Sequence, residues 1–181
     1  TSFRGPAELW VEWDPSLNPE RADKGVLARQ LSFKIGAPVK DDIARTVVVS
    51  ARHEDGENHV RLVLADPRGR ALPAWTAGGH VDLIGGGYRR KYSLCGPVED
   101  RSKLEVVILR EANGRGGSRY FCDEVKAGDQ IHLAGPKNLF RLDESAQHIV
   151  LIAGGIGITP ILAMADRLKA VGKSYELHYA A

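Results

Sequence analysis

The chain has 181 residues, 43% of them hydrophobic and 27% charged, which is enough for a real core in one large domain or two small ones. Its 25 basic and 23 acidic residues leave a formal net charge of +2, which gives no reason to propose nucleic acid or an anionic membrane as the partner. No apolar run approaches the roughly 20 residues needed to cross a bilayer.

The first 40 residues differ in texture from the rest. No apolar stretch follows Thr1-Ser2-Phe3-Arg4-Gly5-Pro6, so a signal peptide is not expected. The missing initiator Met points to a chain processed or cut from something longer. Asn18 and Pro19 read as the cap and first residue of a short helix. No chemistry is evident, and residues 1–40 are expected to be an extension packed on the main domain or a linker from an upstream one. A partner-docking arm is the alternative.

From residue 43 the pattern becomes β. Residues 43–52 are rich in β-branched side chains, Glu54-Asp55-Gly56-Glu57 is a turn, and 59–66 alternates Val60, Leu62 and Leu64 with polar neighbours, so the two segments predict a hairpin. Further strands are predicted over 80–84, 88–94, 104–110 and 130–134, with one helix at about 118–125. Six short strands at this spacing predict an antiparallel barrel over 41–145. Residues 148–153 form an apolar run without alternation, as expected of a strand buried on both faces of a parallel sheet. Ile161, Leu162, Ala165 and Leu168 then repeat at helical spacing, and 175–179 is a second strand. This β-α-β unit, 146–181, cannot bury its own apolar faces, so the α/β domain is expected to continue past Ala181.

Three segments carry chemistry. In Arg90-Lys91-Tyr92-Ser93-Leu94, alternation puts Arg90 and Tyr92 on one face, where a guanidinium and a phenol suit a planar ring bearing a phosphate. Ser93 reaches the same ligand only if the strand bends or ends there. In Asn113-Gly114-Arg115-Gly116-Gly117-Ser118, a glycine run opening a helix lets backbone N–H groups converge on an anion, with Ser118 as N-cap or direct ligand. Ala153-Gly154-Gly155-Ile156-Gly157-Ile158-Thr159-Pro160 lies between a buried strand and a helix, with Thr159 and Pro160 read as N-cap and first helical residue. It is not the Rossmann fingerprint, because Pro160 stands where the last glycine should be, but its setting is that of a dinucleotide site.

Two cysteines, Cys95 and Cys122, form no Cys-x-x-Cys pair, and the six histidines are scattered, so no metal site is expected. Two free thiols in a reducing cytoplasm are favoured over a disulfide. The protein is therefore expected to be cytoplasmic.

Together the three segments resemble the ferredoxin–NADP reductase superfamily, and within it the phthalate dioxygenase reductase group, which supplies electrons to Rieske-type oxygenases and O-demethylases. The resemblance runs from about residue 43 to 181. It implies a six-stranded antiparallel Greek-key barrel for the flavin, followed by the start of an α/β parallel-sheet nicotinamide-binding domain. It implies that Arg90 binds the FMN phosphate, Tyr92 packs on the isoalloxazine, and Ser93 hydrogen-bonds near flavin N5 as the catalytic residue. Gly116, Gly117 and Ser118 would hold the phosphate, while Gly154, Gly155, Gly157 and Thr159 would border the nicotinamide and its pyrophosphate. Leu94 and Arg110 complete the implied cofactor set. His80 sits near the implied cofactor, although a structural histidine is the favoured reading. The implied activity is hydride transfer from NADH or NADPH to FMN, then single electrons to an iron–sulfur centre serving a terminal oxygenase or demethylase. An FAD-dependent reductase is the nearest alternative, and a non-catalytic barrel serving as a docking module is the second. Members of the group carry a [2Fe–2S] domain with four cysteine ligands. It is expected in the complete protein, and two cysteines cannot supply it here. NADH and NADPH are not distinguishable, because the residues that would tell them apart should follow the last strand.

Overall fold

A computed structural model describes residues 43–180; the helix start expected at Asn18 and Pro19, with the rest of residues 1–40, lies outside them. Six strands, β1 (Ala44–Glu54), β2 (His59–Ala65), β3 (His80–Gly85), β4 (Tyr88–Cys95), β5 (Lys103–Leu109) and β6 (Gln130–Lys137), follow the alternation of the sequence. Every pairing among them is antiparallel, and they close into a barrel in the order β1-β2-β5-β4-β3-β6. The jump from β2 across to β3, which returns through β4 and β5 to the first hairpin, is the Greek-key path expected.

Period two decides which side chains fill the barrel. Val60, Leu62 and Leu64 of β2 and Leu104, Val106 and Ile108 of β5 all point inward and are buried. Their registers match, with Leu62 opposite Val106 and Leu64 opposite Leu104. Burying each such side chain stabilises the fold by roughly 1.5–3 kcal/mol, so a one-residue slip of this pair would expose the whole set. One end is plugged by the turn after β5. Gly117–Arg119 forms a helical turn, α1, which continues into a π-helical turn over Tyr120–Glu124, and Phe121 there is wholly buried. Tyr120 lies across the β3–β4 hairpin. A β-carbon on Gly86 would come within 2.3 Å of its ring, and Gly86 has φ +57°, so only glycine fits this turn.

Beyond the barrel, β7 (Val150–Gly154) leads through a 3₁₀ turn (Gly155–Gly157) into α2 (Ile158–Ala170) and then β8 (Glu176–Ala180), which pairs parallel with β7. Ile161, Met164, Ala165 and Leu168 recur at three- and four-residue spacing and form the buried face of α2. Two expectations are corrected here. First, β7 is not buried on both faces: Leu151 and Ala153 are buried, but Ile152 is 72% exposed and β8 is exposed throughout. Among the described residues only α2 covers this two-stranded sheet, and a helix covers one face. Second, α2 starts at Ile158, so Thr159 and Pro160 sit within its first turn rather than at its cap. Gly157 takes the cap position, and the Thr159 hydroxyl donates back to the Ile156 carbonyl at 3.0 Å. Pro160 is tolerated because the first-turn N–H groups have no intrahelical partner to lose.

Barrel and α2 meet at a close contact. Gly78, with φ +89°, approaches the Phe140 carbonyl so tightly that a β-carbon would overlap it, and the Met164 side chain lies on the same spot.

Candidate functional site

The sheet opens where the chemistry is expected. β4 pairs with β3 from Tyr88 to Ser93, but with β5 only at Leu94 and Cys95. Between residues 90–93 and 107–109 the two strands part. The gap is the mouth of a cleft of about 420 Å³, lined on one wall by Arg90, Lys91, Tyr92 and Ser93 and on the other by Val107 and Leu109. That size suits an organic cofactor. The parting also answers the question posed by Ser93. Strict alternation fails at the hand-over from β3 to β5, so Ser93 lines the same cleft as Tyr92 while Leu94 and Cys95 are both buried.

Arg90 is propped for an anion. Its guanidinium lies 5.5 Å from the Tyr88 ring centroid and donates to the Arg89 carbonyl at 2.9 Å. Among the described residues no carboxylate pairs with it, so its charge is not neutralised. Gly117 at the start of α1 abuts this side chain, and Gly117 and Ser118 line the cleft opposite it. Gly116, left-handed at φ +86°, is the N-cap of α1, so Ser118 is not. The Ser118 hydroxyl instead accepts a bond from the Glu111 N–H at 3.2 Å. Tyr92 packs edge-on against Phe121 at 5.9 Å, and burial pushes its phenol up to about 12, so it stays neutral and keeps its proton.

From the α/β side, Gly157 and Thr159 line the cleft, whereas Gly154 and Gly155 do not. Leu94 is wholly buried in the core beneath it. Arg110 does not line the cleft either; its guanidinium grips the Asp123 carboxylate through Nε at 2.8 Å and Nη2 at 2.8 Å. His80 lies opposite Ser93 on β3, with Nε2 buried and unpartnered, and burial lowers its imidazole below the usual range. Glu111, Arg115, Ile156 and Pro160, which were outside the expected cofactor set, also line the cleft. The arginine and proline stood within the quoted motifs; nothing local marked the glutamate. Cys95 and Cys122 are free and buried, and among the described residues no His, Cys, Asp or Glu cluster could hold a metal ion. No described helix is long and apolar enough to cross a membrane.

No protein-family model matches the chain. It is 43% identical over 118 residues to phthalate dioxygenase reductase from Burkholderia cepacia, a match covering 64% of this chain and 37% of that protein. The solved structure of phthalate dioxygenase reductase, a modular protein for electron transfer from pyridine nucleotides to [2Fe–2S], superposes with a TM-score of 0.74 at 37% identity, over 76% of this chain and 44% of that one. By sequence and by fold, the chain is a homologue of the phthalate dioxygenase reductase group. Its closed six-stranded barrel and the β7-α2-β8 unit after it have the fold of the matching part of that reductase. A type IV self-sufficient cytochrome P450 monooxygenase is also similar, with TM-score 0.74 and 47% identity over 92% of this chain and 22% of its own. The chain spans less than half the length of each of these proteins.

Proposed function

We propose that this chain is part of an NAD(P)H-dependent electron-transfer reductase and that its cleft holds FMN. The observation that carries the reading is the parting of β4 and β5. It joins an unneutralised arginine, an aromatic ring, a hydroxyl and the first turn of α2 around one cavity. These residues fit a flavin mononucleotide in three respects. Gly117, Ser118 and Arg90 converge where a phosphate would take N–H, hydroxyl and guanidinium donors. Tyr92 offers a neutral ring face. The unpaired strand edges beside Ser93 leave backbone donors and acceptors for the polar rim of the ring.

When bound, the flavin supplies the redox chemistry, taking two electrons from a reduced nicotinamide and releasing them singly. The chain's own groups bind and orient. Arg90 anchors the phosphate end, Tyr92 covers the ring, and Ser93 presents its hydroxyl near the ring's reactive nitrogen. Gly157, Thr159 and Pro160 border the space for the nicotinamide. Leu94 serves from beneath, as core packing under the strand that carries the site. Arg110 acts at one remove, bracing the turn through Asp123.

Anaerobic mixing of the flavin-loaded protein with NADH and with NADPH tests the activity. Bleaching of the flavin absorbance with either donor supports it. A protein that stays colourless with added FMN favours the docking-module alternative, and release of FAD rather than FMN favours the FAD reductase.

For the acceptor, the family reading is an iron–sulfur centre serving an oxygenase or demethylase. A second reading rests on the self-sufficient P450. That match is 47% identical and covers 92% of the chain. On this reading residues 1–40 are part of a longer oxygenase chain and the terminal oxygenase is covalently attached. Sequencing the gene upstream of Thr1 decides between a fused haem domain and a separate partner.

A further inference from the structure

Helix α2 bears cleft-lining residues in its first turn and Arg167 near its last. Three hydrogen bonds tie that guanidinium to two carboxylates on two other parts of the fold. Nε and Nη2 donate to the two oxygens of Glu144 at 2.9 and 3.0 Å, and Nη1 donates to Glu99 Oε1 at 2.9 Å. Glu99 belongs to the β4–β5 connection, four residues after Cys95 ends the strand carrying Arg90, Tyr92 and Ser93. Glu144 belongs to the segment that joins the barrel to β7. Lys173, just past α2, donates to the Glu144 and Ala146 carbonyls and pins the same segment from its other side. A single side chain therefore joins the barrel, the joining segment and the helix.

We propose that Arg167, with Glu99 and Glu144, is a positioning device that sets how the first turn of α2 meets the flavin cleft; this rests on the function proposed above. From Ile158 to Arg167 the helix advances about 13 Å. Its middle bears on the barrel at Gly78 and Met164, so a rotation freed at the Arg167 end moves Gly157, Thr159 and Pro160 at the other. Arginine suits the task because its planar fork holds one carboxylate through two nitrogens and still presents a third to the other. Lysine is a point charge on a flexible stem and cannot fix that orientation. The pairs are partly exposed, with side-chain exposures of 30% for Arg167, 55% for Glu99 and 44% for Glu144, so they add little to global stability and are weakened by salt. A weak but directional contact is what a device for alignment, rather than for folding, requires. Misplacing reacting groups by about 1 Å can cost about 100-fold in rate, so even partial loss of alignment is measurable.

The test is stopped-flow reduction of the flavin-loaded full-length protein by its nicotinamide donor, for the wild type, Arg167→Met, Arg167→Lys and Glu99→Gln. The limiting rate should fall about 10-fold in Arg167→Met, less than the roughly 100-fold of a full misplacement. Arg167→Lys should recover only part of it, and Glu99→Gln should fall between. FMN affinity and thermal midpoint should be unchanged in all three. Added salt should slow the wild type and leave Arg167→Met unaffected. An unchanged limiting rate in Arg167→Met, or a loss that tracks FMN release or unfolding, overturns the proposal while leaving the proposed function standing. A wild type that its donor cannot reduce overturns the functional reading, and this inference with it.

Discussion

Gly117 lies directly against the side chain of Arg90: a β-carbon built on the glycine would stand 2.5 Å from Arg90 Nε and 2.9 Å from its Cζ. On the proposed function the pair would form the core of a phosphate cradle, since the glycine lets a backbone N–H and a guanidinium approach the same small volume. The neighbour is the flexible part of a long side chain, so Gly117→Ala should fold and simply push Arg90 aside. One hydrogen bond to a charged group is worth roughly 1.5–3 kcal/mol. FMN affinity should accordingly fall about 10- to 100-fold, measured by fluorescence titration, with little change in thermal midpoint.

Two arginines that look alike in sequence should behave differently. Arg90 has no carboxylate partner among the described residues, whereas Arg110 is held by Asp123 at 2.8 Å. Arg90→Ala should abolish tight FMN retention. Arg110→Ala should change FMN affinity by less than about fivefold, because an exposed ion pair is worth roughly 0–1 kcal/mol. Equal losses in the two variants would mean that Arg110 leaves Asp123 for the phosphate.

Ser93 lines the cleft, and the proposed function gives it the role of tuning reactivity and not of holding the cofactor. Ser93→Ala should slow reduction of the bound flavin by about 10- to 100-fold, the range for losing one hydrogen bond to a charged group. FMN affinity should stay close to that of the wild type. Unaltered reduction kinetics would remove Ser93 from the mechanism.

The two buried thiols should cost stability at alkaline pH. Burial pushes both Cys95 and Cys122 up to about 11 from an ordinary value of 9.0. A group whose folded value is raised contributes stability that is complete below its unfolded value and is lost as pH rises towards the folded one. The urea midpoint should therefore decline between about pH 9 and 11, and less so in Cys95→Ala. At neutral pH neither thiol should react with a disulfide reagent before the protein unfolds. Rapid labelling of the native protein at neutral pH would contradict the burial of both.

The barrel was readable because its strands are half-buried. Val60, Leu62 and Leu64 alternate with polar residues whatever surrounds them, and that period alone fixes which face turns inward. The run 148–153 reports its own preference in the same way. Ile152 is apolar although it is 72% exposed, and a sequence reports what a side chain would accept, not what covers it. Ser93 was ambiguous until pairing was known, because the break in alternation comes from β4 passing from β3 to β5, a contact between segments distant in sequence. Thr159 and Pro160 looked like a cap and first residue, yet the glycines before them let the chain enter the helix earlier. Arg110 and Asp123 show the complementary limit. The resemblance placed Arg110 in the cofactor set, and nothing local showed that Asp123, 13 residues away, would pair with it.

Isothermal titration of FMN into the purified flavin-free protein, with FAD and the Arg90→Ala variant run alongside, tests the central claim most directly. The account predicts one FMN per chain, weaker binding of FAD, and a large loss of FMN affinity in the variant. Absence of FMN binding, or binding that is indifferent to Arg90, would contradict it.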